Sequence, residues 1–256
     1  MTVFQTMGVA TKDRIEVRGY DLCGELIGHV GLTEMLHLEV RGSLPTAMER
    51  AVLDSVLVAL AEHGLTPIAL AARLTDLGSP GALQGAVAAG LLGAGDRFLG
   101  ALDGCARLLQ EWPDTDEDGD REHARSLVAA ARAERRRLPG IGHPTHVDGD
   151  PRVPALYAAA RAAGLTGLAQ ARLEHVRAEA EAAAGRRLPV NVDGAAAVLL
   201  TELGYPWQTA RGVALVARAA GLVGHLFDEL RHPMAMQVWE MAEEVAPYRP
   251  PLPEAD

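Results

Sequence analysis

Three short stretches place ionisable side chains in unusual backbone settings. The first is Pro139-Gly140-Ile141-Gly142-His143-Pro144, followed by Asp150-Pro151-Arg152. Glycines just before a histidine let backbone approach a ligand closely. The proline after it keeps His143 extended. A rigid loop that presents a histidine and then an arginine suits proton transfer beside a bound anion. The same residues also read as an ordinary turn. The second stretch is Asn191-Val192-Asp193-Gly194. Asp193 is either a carboxylate held at a cleft or the N-cap of a helix starting near Ala195. The third is Glu62-His63-Gly64 at the end of a helical pattern. His63 there either faces a substrate or simply favours the helix C-terminal dipole. Each stretch alone is ambiguous. Together they point to acid–base chemistry on a small anionic substrate.

Other chemistries find no support. The four serines never occur in G-x-S-x-G, so a serine nucleophile is not expected. No P-loop, HExxH or paired CxxC occurs. Cys23 and Cys105 form neither a disulfide framework nor a cysteine-rich metal site. Asp114-Thr115-Asp116-Glu117-Asp118-Gly119 imitates the start of a calcium loop, but Arg125 stands where a bidentate glutamate is required. A metal is therefore not expected. The 256 residues carry 24 basic and 34 acidic side chains, a net charge of −10. That balance opposes nucleic acid and anionic membrane surfaces. Lys12 is the single lysine, so the positive charge is nearly all arginine, suited to bidentate carboxylate and phosphate recognition. The N-terminus lacks a signal-peptide pattern. No run reaches about eighteen uninterrupted apolar residues. A soluble, cytoplasmic protein of one large domain or two modest ones is expected.

The elements that must hold these residues read as helices. Hydrophobic residues make up 48% of the chain and aromatic ones 4%, so the core must be built from Ala, Leu and Val. Thr46 and Glu49 form a capping-box pattern, and Met48, Val52, Val56 and Leu60 recur every four residues. Further helices are expected over about 67–77, 96–111, 122–136, 155–163, 165–184, 195–203 and 209–230. Gly81–Gly95 is rich in small residues that permit close helix packing. The acidic run Pro113–Asp120 reads as an exposed loop, Ile15–Leu22 as a short hairpin strand, and the proline-rich end from Pro247 as disordered.

In their order and context these segments resemble the citrate synthase superfamily, above all its citryl-CoA lyase branch, which includes the lyase module of ATP-citrate lyase. The likeness rests on Arg18-Gly19-Tyr20-Asp21, Arg41-Gly42-Ser43-Leu44-Pro45-Thr46, Glu62-His63-Gly64, Gly95-Asp96-Arg97-Phe98-Leu99-Gly100-Ala101-Leu102, the His143 loop with Asp150-Pro151-Arg152, Asn191-Val192-Asp193-Gly194, and Gly221-Leu222-Val223-Gly224-His225 with Arg218 before it. The resemblance implies an all-α fold. A large helical domain, 1–98 with 192–256, would carry a smaller inserted helical domain, 99–191, with the active site in the cleft between them. It implies that His63 and His143 contact the oxaloacetate part of the substrate. Asp193 would exchange a proton with the acetyl methyl, and Arg152 and Arg218 would bind carboxylates.

The implied activity is carbon–carbon lyase cleavage of citryl-CoA, or a close hydroxyacyl-CoA, to acetyl-CoA and oxaloacetate. It needs no cofactor beyond the CoA thioester substrate. The alternative is a citrate or 2-methylcitrate synthase-type acyltransferase joining an acyl-CoA to a 2-oxo acid. A non-catalytic subunit of the same fold is the third reading. A homodimer or higher homo-oligomer is implied. Two positions depart from the synthase pattern. Phe98 stands where synthases carry a histidine, and Val147 where many carry a basic residue near the CoA phosphates.

Overall fold

Thr46 opens a helix as its pattern requires. Its N–H and hydroxyl both donate to Glu49 Oε2 at 2.8 Å, and the Glu49 N–H returns a bond to Thr46 Oγ1 at 3.2 Å. The computed structural model describes residues 3–249. The expected disorder from Pro247 falls largely on 250–256, outside the described residues.

Among the described residues the chain forms eleven α-helices and one small sheet. Strands β1 (Gly8–Ala10), β2 (Ile15–Val17) and β3 (Tyr20–Asp21) pair antiparallel in that order, with Val9 opposite Glu16 and Val17 opposite Tyr20. Arg18 and Gly19 make the two-residue turn at φ 51° and 86°, the left-handed pair that a tight hairpin requires. The helices are α1 (Leu32–Arg41), α2 (Ala47–Ala61), α3 (Pro67–Gly78), α4 (Leu83–Leu92), α5 (Gly100–Gln110) and α6 (Glu117–Ala133), then α7 (Arg152–Ala162), α8 (Ala169–Ala184), α9 (Val192–Glu202), α10 (Trp207–Arg231) and α11 (Ala235–Val245).

Two compact units emerge. One joins the chain up to Leu60 with Leu99–Ala214, and the other joins Ala61–Phe98 with the chain from Leu215. The first unit packs around α9. This helix packs on α5, α7 and α8, and Gly194–Leu200 are all buried. A helix apolar on every side belongs inside a core.

In the first unit, Leu102, Cys105, Ala106 and Leu109 of α5 are buried, and α5 lies against α9. Trp112, Ala124, Val128, Val176 and Ala180 form the core between α6 and α8. The acidic run proves only half a loop. Asp116 caps α6 through the Gly119 N–H at 2.9 Å, and acidic side chains favour that end of a helix. Asp120 is buried, accepting from Trp112 Nε1 at 2.7 Å and Thr115 Oγ1 at 2.6 Å.

In the second unit, α3 packs on α4 and α11. A Cβ at Gly221 would lie 2.0 Å from the Ala61 carbonyl oxygen, so only glycine lets α10 pass there. By length and composition α10 could cross a membrane. Ala217, Leu222 and Leu226 on it are nonetheless buried inside the protein. Arg73 is 3% exposed and meets Glu229 at 2.5 Å, Asp228 at 2.7 Å and His225 Nδ1 at 3.3 Å. The other oxygen of Glu229 accepts the N–H groups of Met234 and Ala235 at 2.7 and 2.8 Å, which starts α11. One carboxylate thus ties three helices.

Burial opposes ionisation of Glu229, but the Ala235 N–H and Arg73 outweigh it and hold its carboxyl below the usual range. Bonds from His232 and Arg73 lower Asp228 to about 2. Both folded-state values are depressed, so this stabilisation is present above the ordinary carboxylate range and fades as pH falls through it. Arg73→Ala should cost about 3 kcal/mol in urea denaturation, because Glu229 is left buried without its cation. Acidification should narrow the gap between variant and wild type. An unchanged midpoint would remove the cluster from the account.

Candidate active site

The His143 loop is built onto the start of α9. Gly140 and Gly142 have φ of 78° and 81°, a conformation that other residues avoid. Gly142 N–H donates to Pro189 O at 2.6 Å, and Asn191 N–H donates to Gly140 O at 3.0 Å. Ile141 and Val190 form an isolated antiparallel bridge, and Asn191 Nδ2 donates to Gly142 O at 2.7 Å. The backbones touch. A Cβ on Gly194 would lie 2.6 Å from Gly140 O, and one on Gly140 would lie 2.8 Å from both Gly194 Cα and Cys105 Sγ.

Asn191, not Asp193, caps α9: its side chain accepts from the Gly194 N–H at 3.0 Å. The capping reading of Asp193 is therefore corrected. Asp193 sits in the first turn, where a helix favours negative charge. Burial, with the Asp193 carboxylate beside it, pushes the Cys105 thiol well up. Cys105 is a neutral packing group and not a nucleophile.

His143 Nδ1 accepts the N–H groups of Thr145 and His146, both at 3.0 Å. That lone pair is engaged, so the neutral ring carries its proton on Nε2. The His146 ring lies 4.5 Å from the His143 ring. Arg152 opens α7 three residues earlier than expected, since its own N–H donates to Asp150 Oδ1 at 3.1 Å. Its guanidinium meets the same carboxylate, Nε to Oδ1 at 2.9 Å and Nη2 to Oδ2 at 2.8 Å.

A cavity of about 690 Å³ opens beside the loop, between the ends of α6 and α8. His143 and Val147 line it together with Arg132, Arg136, Arg137 and Arg186. Such a cluster of guanidinium groups suits phosphates. The sequence signal for it is Arg135-Arg136-Arg137, one residue before Pro139-Gly140, which the motif reading passes over.

The first unit therefore carries His143 on the loop, Arg152 at the start of α7 and Asp193 in the first turn of α9. His63 and Arg218 belong to the second unit. His63 lies in the turn between α2 and α3, beside Gly64 at φ 71°. Arg218 is a buried residue of α10. His225 Nε2 meets Glu62, the residue before His63, at 3.1 Å.

Residues 30–237 match the family model "Citrate synthase, C-terminal domain". The chain is 26% identical over 202 residues to citrate synthase 2 of Bacillus subtilis, covering 78% of this chain and 52% of that protein. It thus spans about half the length of that curated relative. The citryl-CoA lyase of Hydrogenobacter thermophilus is similar along nearly the whole of both chains, with a TM-score of 0.84, 28% identity, and 100% and 97% coverage. An ATP citrate lyase of Methanosaeta concilii, solved with (3S)-citryl-CoA, shares the fold at a TM-score of 0.76 and 22% identity, over 99% of this chain and 42% of that one. The all-α architecture is citrate synthase-like, and the chain belongs to the citrate synthase family.

Proposed function

We propose that the protein is a carbon–carbon lyase that cleaves citryl-CoA, or a close hydroxyacyl-CoA, to acetyl-CoA and oxaloacetate. The observation that carries this reading is the joining of the His143 loop to the first turn of α9. It fixes a ring N–H donor and a carboxylate on one rigid piece, next to an arginine-lined cavity. The likeness to a citryl-CoA lyase along nearly the full length of both chains supports it.

Citryl-CoA is a β-hydroxy thioester, and its cleavage is a retro-aldol reaction. The tertiary oxygen becomes a ketone while the acetyl-CoA enolate departs. His143 donates from Nε2 to the tertiary oxygen while it carries negative charge, a fixed dipole aimed at developing charge. A ring held as an acceptor at Nδ1 acts at Nε2 as a donor. The Asp193 carboxylate takes the proton that the hydroxyl loses as the carbon–carbon bond breaks and delivers it to the enolate carbon. The hydroxyl gives up one proton and the methyl gains one, so the reaction is redox-neutral and asks for no redox cofactor. Arg152 clamps a free carboxylate with a charge-assisted fork. His63 and Arg218 are assigned to the same oxaloacetate portion. Arg132, Arg136, Arg137 and Arg186 hold the carrier phosphates, replacing the charge that Val147 lacks.

Condensation, the synthase direction, is the second reading, favoured by the named activity of the Bacillus relative. Phe98, in place of the synthase histidine, weighs against it. We further propose a cytoplasmic homodimer. Both cysteines are free, which suits a reducing compartment. Val216, Val223, Phe227 and Leu230 leave an exposed apolar stripe along α10 at helical spacing, the kind of face that a second copy covers.

Three outcomes are expected. Purified protein mixed with citryl-CoA should release oxaloacetate, followed by coupled NADH oxidation, and His143→Ala should slow release by about 10²–10³-fold. Intact citryl-CoA after prolonged incubation would overturn the proposal. Asp193→Asn keeps the shape without the proton and should lower kcat about 10²–10⁴-fold with little change in KM; unchanged turnover would remove its role. Replacing Arg137 and Arg186 together by alanine should raise KM for citryl-CoA about ten-fold, equivalent to 1.4 kcal/mol, at nearly constant kcat. An unaltered KM would place the phosphates elsewhere.

A further inference from the structure

We infer that Asp150 is the positioning residue that aims the Arg152 fork and the first turn of α9 at one substrate. The inference rests on the lyase reading for the identity of that substrate.

The Asp150 side chain is 0% exposed and that of Arg152 is 20% exposed. Both carboxylate oxygens are fully used. Oδ1 accepts from the Arg152 backbone N–H at 3.1 Å and Nε at 2.9 Å. Oδ2 accepts from Arg152 Nη2 at 2.8 Å and the Val192 N–H at 3.0 Å. Arg152 is the first residue of α7, and Val192 is the first residue of α9. One buried carboxylate therefore receives the leading N–H of two helices, and each helix carries one of the chemistry-bearing side chains. The distance between Arg152 and Asp193 is set through it.

The hydrogen bonds also decide which way the arginine faces. The Nε–Nη2 edge is spent on Asp150. The Nη1–Nη2 edge remains as a planar fork for a second carboxylate, with its rotation already removed. That lowers the ordering cost of substrate binding. Burial opposes ionisation of Asp150, yet the bonds from Arg152 and Val192 prevail and hold its carboxyl below the usual range. The pair stays charged, as an aimed fork requires. A cap alone would need only the Arg152 N–H. The bidentate contact and the Val192 bond go beyond capping.

Asp150→Asn tests this, since its amide would set a donor against donors on Arg152 or Val192. Two readouts are needed. In side-chain NMR, the Arg152 Hε resonance should be protected in the wild type and lost in the variant. Protection retained in the variant overturns the proposal, whatever the substrate. By calorimetry, citrate affinity should fall about ten-fold or more in Asp150→Asn while CoA affinity stays within about two-fold. In an Arg152→Ala background the same change should add little, because Asp150 acts through Arg152. Equal losses for citrate and CoA, tracking a lower melting temperature, would mark a merely structural residue and overturn the proposal. A wild type that binds no citrate, with the Hε signature intact, would instead sink the lyase reading and leave the positioning claim standing.

Discussion

The contact between Gly140 and Gly194 governs the site. Two backbones approach so closely that a single Cβ on either would collide with the other's main chain. Because they touch, the bonds from Asn191 to Gly140 and from Gly142 to Pro189 can form. Those bonds tie the irregular fourteen-residue loop, Leu138 to Pro151, to the start of α9. A loop held by its own side chains would wander by more than catalysis tolerates. Here the backbone ladder and the buried Asp150 set the places of His143, Arg152 and Asp193 together.

Electrostatics follows from that frame. The site collects N–H donors and guanidinium groups although the chain is acidic overall at −10. The N-termini of α7 and α9 point to the Asp150 carboxylate, and the ends of α6 and α8 carry the arginines. Local field, not net charge, decides what binds. The buried thiol of Cys105 stays neutral beneath Asp193 and supplies packing without competing chemistry.

Much of this was legible in the sequence, for physical reasons that differ by element. The four-residue recurrence and capping box gave α2, because local periodicity and local capping agree there. Gly-x-Gly-His marked the loop, because few other arrangements need two glycines beside a histidine. The cap of α9 was not legible. Asn191 and Asp193 are both good caps two residues apart, and the choice is made by the pairing of Asn191 with Gly140, a distant partner. The start of α11 was not legible either, because its first N–H groups are satisfied by the Glu229 side chain of α10 and not by a capping residue beside them. Half of the acidic run became helix because Trp112 and Arg172 draw Asp120 inward. The neighbours on which α9 packs, α5, α7 and α8, were likewise not legible, because a helix apolar all round does not announce its partners.

The most direct test of the account is to let the protein turn over citryl-CoA in heavy water and weigh the products. Cleavage with carbon protonation by Asp193 gives oxaloacetate and acetyl-CoA carrying one deuterium in its methyl group. Citrate and free CoA, with no labelled acetyl-CoA, would mean that the thioester is hydrolysed while the carbon–carbon bond survives, and would contradict the lyase account.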